Sequence, residues 1–204
     1  LERGDTVAAK AGYEAALAAN PNSVQAINSL ALLAEKRGEL VHAEQLFYRA
    51  GRIREFDLKT SLELSGFLIR NDRLMEAARL LESQDEAGRE SAEMHYLLSV
   101  VYRRLGYQQG AVERMNAARA LEPGNTQYEA ELGRLLVKQG ELKEALVLLN
   151  RALEDDPSLV ETYLGFGELF HEAGQAADAA RSYYSALARD ANNRDAMLGL
   201  AGLM

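Results

Sequence analysis

Apolar residues recur at the spacing of a helical face in two successive stretches of residues 24–57. In the first stretch, Ile27, Leu30, Ala31 and Ala34 follow the i, i+3, i+4, i+7 pattern. A pattern of this kind buries one side of a helix and leaves the opposite side in water. The spacing therefore predicts an amphipathic helix over the first part of this segment.

A second helix is predicted almost immediately afterwards. Gly38 stands where the first apolar pattern stops, and glycine is the residue that most often ends a helix. The helical spacing then resumes with Leu40, Ala43, Phe47 and Ala50. Two helices joined by so short a turn predict an antiparallel helical hairpin.

The same hairpin pattern returns every 34 residues without an insertion or deletion. The predicted turn glycines are Gly4, Gly38, Gly106, Gly140 and Gly174, and Asp72 occupies the one remaining turn position. Five residues after each turn position stands an alanine: Ala9, Ala43, Ala77, Ala111, Ala145 and Ala179. A fixed period of this length predicts stacked repeats, each of which buries its core against its neighbours.

Other positions in the period also have a constant character. Seven residues before the turn the residue is small: Ala31, Ser65, Ser99, Gly133, Gly167 and Ala201. Nine residues after the turn it is large: Tyr13, Phe47, Leu81, Met115, Leu149 and Tyr183. We expect the small positions and the alanines to mark the closest approach of the two helices, and the large side chains to pack between hairpins.

These positions resemble the pattern of the tetratricopeptide-repeat (TPR) family over essentially the whole chain. The prolines Pro21, Pro123 and Pro157 add to the resemblance, because all three occupy one place in the period, just after the second helix. The resemblance implies an all-α fold, a right-handed superhelical solenoid of antiparallel helix pairs. The acidic composition and the fixed period disfavour the rival pentatricopeptide arrays that bind RNA.

The period divides the chain into repeats that we expect to form a single array over residues 1–204, a piece of a longer protein. Residues 1–23 are predicted to be the second helix of a truncated repeat, and residues 194–204 the first helix of a further one. The complete repeats between them are residues 24–57, 58–91, 92–125, 126–159 and 160–193.

The repeat at residues 58–91 departs most from the pattern. Its departures are Ser61 at the opening position, Asp72 at the turn, Gln84 in place of the second alanine and Arg89 in place of proline. We expect its second helix to end early, near Ser83, and the stretch from Gln84 to Ser91 to be the most mobile loop of the array.

Charge and composition narrow the classes of partner. The formal net charge of −8 argues against nucleic acid, because binding a phosphate backbone requires neutralisation by Lys and Arg. No apolar run reaches the length of a membrane span, which predicts a soluble segment without direct membrane insertion. The absence of cysteine is compatible with the cytoplasm and with the periplasm.

The sequence contains no recognisable catalytic or metal-binding constellation. The histidines His42, His95 and His171 are predicted on three different faces, and none has a second ligand at i+4. A phosphate-binding GxxxxGK[ST] loop is absent from the sequence. We therefore predict that the chain is not an enzyme, with no catalytic residues, no metal site and no cofactor.

The resemblance implies a partner-binding surface on the concave side, which first helices line. The predicted groove residues are Asn28, Leu32, Leu62, Tyr96, Val100, Arg103, Arg134, Leu164 and Glu168. The favoured function is a non-catalytic scaffold that binds a peptide or an amphipathic helix of a partner protein in this groove. The alternative for these apolar residues is a purely structural role in curving the array.

Two other functions are compatible with the sequence. The first is a structural spacer in a larger bacterial envelope or polysaccharide-export protein. The second is a regulatory TPR array attached to an enzyme such as a glycosyltransferase. The truncated ends of the array also predict a route to self-association.

Overall fold

The helices predicted from the repeat are present. The computed structural model describes residues 3–84, 86–87 and 89–203, with side chains from residue 8 onwards, and this part of the chain contains twelve helices and no strand. The helices are α1 (Arg3–Ala19), α2 (Val24–Lys36), α3 (Leu40–Ile53), α4 (Leu58–Arg70), α5 (Leu74–Glu82), α6 (Ala92–Leu105), α7 (Gln108–Leu121), α8 (Thr126–Gln139), α9 (Leu142–Asp155), α10 (Val160–Glu172), α11 (Ala176–Arg189) and α12 (Arg194–Ala201).

First and second helices begin differently. Most first helices start at a residue whose side-chain oxygen accepts a hydrogen bond from an N–H of the first turn, as Asp57 does from the Thr60 N–H at 2.9 Å. The other capping residues of this kind are Ser23, Ser91, Asn125 and Asn193. Such caps satisfy N–H groups that have no partner within the helix. The second helices α3, α5, α7, α9 and α11 begin without one.

The turn positions between paired helices adopt the left-handed backbone conformation that the period predicts. Gly106 and Gly140 have φ angles of 84° and 82°, and the substitute Asp72 has 63°. Gly4 is an exception to the prediction, because it lies inside α1 rather than in a turn. Glycine permits a left-handed turn but does not impose one, so Gly4 can take part in the first turn of α1.

The small residues of the period lie where paired helices approach each other. Ala43, Ala111 and Ala145 are each 0% exposed. Ser99 of α6 donates a hydrogen bond to the carbonyl of Ala111 in α7 at 2.7 Å, which requires the two helices to be close. The prediction that small residues face each other within the hairpins is therefore confirmed at this pair.

In the five complete repeats, the large residue nine positions after the turn is buried in the core, whereas Tyr13 of α1 is half-buried. Phe47, Leu81, Met115, Leu149 and Tyr183 are all 3% exposed or less. In the hairpin of α8 and α9, Leu149 lies against Gly133 of the first helix, with only 2.9 Å between its Cγ and the position of an added Cβ there. Burial of one large side chain per repeat gives each hairpin a hydrophobic anchor.

Helix α5 is shorter than its counterparts. It has 9 residues, whereas α3, α7, α9 and α11 have 14 each. Its C-cap is Ser83, so the predicted early end is confirmed. Parts of the loop from Gln84 to Ser91, which we predict to be the most mobile, lie outside the described residues.

The chain divides into two units of dense internal contact, Leu1–Arg89 and Glu90–Met204. The first unit contains α1 to α5 and the second contains α6 to α12. In the second unit, successive helices pack in hairpins, and the first helices α8 and α10 also contact each other. This contact between first helices of neighbouring repeats builds the surface described below.

The cap of α8 gives a stability prediction. The Asn125 side-chain oxygen accepts hydrogen bonds from the N–H groups of Gln127 and Tyr128 at 3.1 and 3.4 Å. We expect Asn125→Ala to lower the free energy of unfolding by about 1 kcal/mol. Glu141→Ala at the start of α9, where no side-chain cap bond exists, should have little effect. Urea denaturation followed by circular dichroism measures both, and equal losses would contradict the capping role.

Candidate interaction surface

First helices of the second unit form one continuous face. Helix α8 lies in contact with α6 on one side and α10 on the other, and α10 also contacts α12. The residues that the sequence analysis assigned to a groove in this unit belong to α6, α8 and α10. The face of α6, α8, α10 and α12 is called the first-helix face below.

Charged side chains form a connected network on the first-helix face. The Arg134 guanidinium donates to both carboxylate oxygens of Glu168, at 2.6 and 3.3 Å, and to Asp195 at 3.0 Å. It also donates to Glu131 at 3.4 Å. Arg103 donates to the other oxygen of Glu131 at 2.5 Å. These five residues, contributed by four first helices, are called the arginine network.

The arginine network is largely withdrawn from water. The side chains of Arg134 and Glu131 are 3% and 1% exposed, whereas Asp195 is the most accessible member at 33%. Burial would lower the pKa of the Arg134 guanidinium, but the charges of Glu168 and Glu131 raise it. Burial would likewise raise the pKa of the Asp195 carboxyl, but the positive charges of Arg134 and Arg103 lower it. Both groups are therefore charged at neutral pH.

Tyr96 lies beside this network. Its ring stacks on Tyr128 with 5.3 Å between the centroids, and its hydroxyl accepts a hydrogen bond from Gln127 at 2.8 Å. Burial and the negative charge of Glu131 raise the pKa of the Tyr96 hydroxyl, so it is a neutral phenol. The half-buried ring is therefore held by both Tyr128 and Gln127.

The groove residues predicted in the second unit differ in accessibility. Arg134 and Leu164 are buried, at 2% and 3% exposure, and a ligand could reach them only after rearrangement. Val100, Arg103 and Glu168 are half-buried. On the neighbouring α12, Leu198 is 59% exposed and is the most accessible apolar side chain of this face.

The groove residues predicted in the first unit lie on α2 and α4 and are described separately. Asn28 is 6% exposed and donates a hydrogen bond to Glu63. Leu32 is 44% exposed, and Leu62 is half-buried. On the same pair of helices, Arg70 forms a two-pronged hydrogen bond with Glu35 at 2.8 Å for each contact.

Two members of the arginine network were not predicted as site residues. Glu131 and Asp195 supply carboxylates to Arg103 and Arg134, and both lie on first helices. The 34-residue period relates Arg134 to Glu168, which stands one full period later in the sequence. Asp195 is 61 positions after Arg134. That separation is not a multiple of the period.

The described residues contain no group of three His, Asp or Glu side chains that could hold a metal ion. Within the same ranges, every helix is too short or too polar to traverse a lipid bilayer. The first-helix face presents fixed charges, the fixed phenol of Tyr96 and exposed apolar side chains.

Comparison with known protein families agrees with the repeat architecture. A family model described as "TPR repeat" matches residues 133–174, and a second model, described as "Tetratricopeptide repeat", matches residues 1–57. Both matched segments are tetratricopeptide repeats. This TPR chain has no match among curated protein sequences.

Several solved structures share the fold at low sequence identity. TTC0263, a TPR protein of Thermus thermophilus, is 19% identical with a TM-score of 0.71, and the match covers 89% of this chain and 98% of that one. The pilus biogenesis factor PilW is 18% identical with a TM-score of 0.73, covering 97% and 91%. YrrB, described as a TPR protein with an unusual peptide-binding site, is 19% identical with a TM-score of 0.57, covering 91% and 96%.

Proposed function

We propose that this TPR chain is a protein-interaction scaffold that binds a peptide or helical segment of a partner protein on the first-helix face. The observation that carries the proposal is the arginine network, in which buried Arg134 holds the more accessible carboxylates of Glu168 and Asp195 in fixed positions before any partner arrives. Fixed charges and a fixed aromatic ring reduce the entropy that is lost when a ligand binds.

Charge and apolar surface together favour a polypeptide ligand. Half-buried Val100 and exposed Leu198 offer apolar contacts on either side of the network, while Glu168 and Asp195 offer acceptors for N–H groups. An amphipathic helix or an extended segment combines apolar side chains with polar groups in the same way. The peptide-binding site named for YrrB supports a ligand of this class.

The groove residues Asn28, Leu32 and Leu62 of the first unit are proposed to contact partners in the same manner. Leu32 provides exposed apolar surface, and the amide of Asn28 is already engaged with Glu63. We propose no catalytic role for this scaffold. The spacer function and the enzyme-linked function make different predictions in the experiment below, because neither requires a ligand on the first-helix face.

The proposal is tested by affinity capture with single charge substitutions. Leu198→Glu and Val100→Glu place a negative charge on the first-helix face, whereas Val147→Glu places it on the second helix α9. Leu198 and Val147 are matched, because each is 59% exposed. We expect the first two variants to lose a partner that the wild type and Val147→Glu retain. Circular dichroism checks that all the variants keep their helix content.

The same experiment separates the alternatives. If all variants capture the same partners, the first-helix face is not the binding surface. If a partner is lost only with Val147→Glu, the ligand binds the opposite side. A scaffold that captures nothing in any form would favour the spacer function.

A further inference from the structure

An apolar pocket of about 340 Å³ lies in the first unit, between α3, α4 and α5. Its floor is formed by Leu64 and Leu68 of α4, each 1% exposed. Leu80 of α5 forms one wall, and the opposite wall is aromatic. The pocket lies on the side of the second helices and shares no residue with the proposed groove. Its size is at the lower end of the range for ligand sites.

The early end of α5 explains why the pocket is open. Ser83, the C-cap of α5, lies at the pocket mouth. In the other repeats the second helix continues for five more residues, since it has 14 residues and α5 has 9. The corresponding stretch of α7 contributes the buried Ala118 to the core, whereas the first unit has Gln84 at that place in the period.

The aromatic wall of the pocket depends on two residues with an unfavourable backbone conformation. Phe56 and the preceding Glu55 both have φ angles of 53°, a left-handed conformation that bulky residues rarely adopt. The same place in the period as Phe56 holds Asn22, Gly124, Ser158 and Asn192, which are small or common in turns, and Glu90 in the irregular repeat.

The ring of Phe56 is held by two neighbours. It covers Gly51, where an added Cβ would lie 2.6 Å from the Phe56 Cδ1. It also meets the ring of Tyr48 edge to face, with 6.2 Å between the centroids and 72° between the planes. An aromatic pair in this geometry can accept a third ring by the same edge-to-face contacts.

The mouth of the pocket carries one exposed carboxylate, Glu76, which lies near Arg73 and Arg79. Glu76 lines it and receives two hydrogen bonds from Arg73 at 2.7 Å each. Arg73 also forms an ion pair with Glu44 at 2.6 Å, so two carboxylates share one guanidinium. The side chain of Glu76 is 46% exposed and accessible to a further cation. A ligand that combines an apolar group with an adjacent positive charge is complementary to this arrangement.

We propose that this pocket binds one aromatic side chain of a partner polypeptide, with a basic residue next to it that pairs with Glu76. The ring occupies the space left by the short α5 and contacts Phe56, Leu68 and Leu80. The basic group stays at the water-exposed mouth. The chain then has a second binding site, independent of the first-helix face.

The test uses the whole chain with isotope-labelled leucine methyl groups and three blocked dipeptides. The probes are acetyl-Phe-Arg-amide, acetyl-Phe-Glu-amide and acetyl-Ala-Arg-amide. We expect the first to cause saturable shifts in the methyl resonances of Leu64, Leu68 and Leu80. The second should bind about two- to fivefold more weakly, as is typical for loss of one partly exposed ion pair. The third should cause no saturable shift.

Three variants assign the effect to the pocket. Ser83→Trp places an indole at the mouth and should abolish binding of acetyl-Phe-Arg-amide. Ser185→Trp, at the same place in the period of α11, is the matched control and should leave binding unchanged. Glu76→Gln should retain the requirement for Phe but remove the preference for Arg over Glu.

Several results would overturn the proposal. Absence of saturable shifts with every peptide would show that the pocket does not take an aromatic side chain. Equal binding by Ser83→Trp would place the peptide elsewhere. Equal affinity for the Arg and Glu peptides would remove the basic residue from the proposal. If the Leu80 methyl resonance shifts with protein concentration alone, the occupant is a second copy of this chain.

Discussion

Replacing Arg134 with methionine is expected to lower the free energy of unfolding by about 3–5 kcal/mol. Arg134 is 2% exposed, and its guanidinium makes hydrogen bonds to Glu131, Glu168 and Asp195. In the variant, the network retains one arginine, Arg103, for its three carboxylates. A buried charge without a partner costs more free energy than the original pair contributes, because its lost hydration is no longer offset. Urea denaturation followed by circular dichroism gives the loss.

An exposed ion pair provides the matched control. Arg181 pairs with Asp178 within α11, and its side chain is 77% exposed. Arg181→Met should change the free energy of unfolding by no more than about 0.5 kcal/mol. Similar losses for Arg134→Met and Arg181→Met would contradict the structural importance of the arginine network.

The loss caused by Arg134→Met should depend on pH. The pKa of Asp195 is lowered in the native protein, mainly by Arg134 against the opposing effect of burial. Its stabilising contribution is therefore fully present above the unfolded pKa of about 3.9 and is lost as the pH falls through the lower native value. In the variant, protonation of Asp195 removes the charge that has lost its Arg134 partner. The two proteins should thus differ most near neutral pH and converge in acid.

The fold was predictable because every repeat packs only on its neighbours. The positions of Ala111 and Leu149 in the period are buried in every complete repeat, so a pattern of residue types along the chain is enough to place the helices. The early end of α5 was predictable for the same reason, since Gln84 breaks that pattern. The helical position of Gly4 was not, because glycine accommodates a turn without requiring one.

The candidate surface was only partly predictable. Residues on the first-helix face follow from the period, but the partners of their charges depend on side-chain directions between helices. The sequence predicts Arg134 as a groove residue, and in the structure it is buried among carboxylates from three helices. The sequence shows that a phenylalanine occupies a turn position at residue 56. It does not indicate that the backbone of Phe56 is left-handed.

Gly167→Ala is expected to destabilise the protein by about 1–3 kcal/mol, although alanine favours helices more than glycine does. An added Cβ at Gly167 of α10 would lie 2.7 Å from the Cζ of Tyr183, and Gly199 of α12 faces the same ring. Tyr183 is 3% exposed, so its ring has little room to move away. Thermal and urea denaturation of the variant measure the cost.

Gly12→Ala supplies the control with the opposite expected sign. Gly12 lies in α1 with no other heavy atom within 4 Å of its added Cβ, so the variant should gain about 0.5–1 kcal/mol from helix propensity alone. The contact at Gly167 is isolated by the double variant Gly167→Ala, Tyr183→Leu. Because the smaller side chain vacates the space, alanine at 167 should cost nothing in the Tyr183→Leu background. An undiminished cost there would mean that Gly167 is required for its backbone rather than for the close approach of Tyr183.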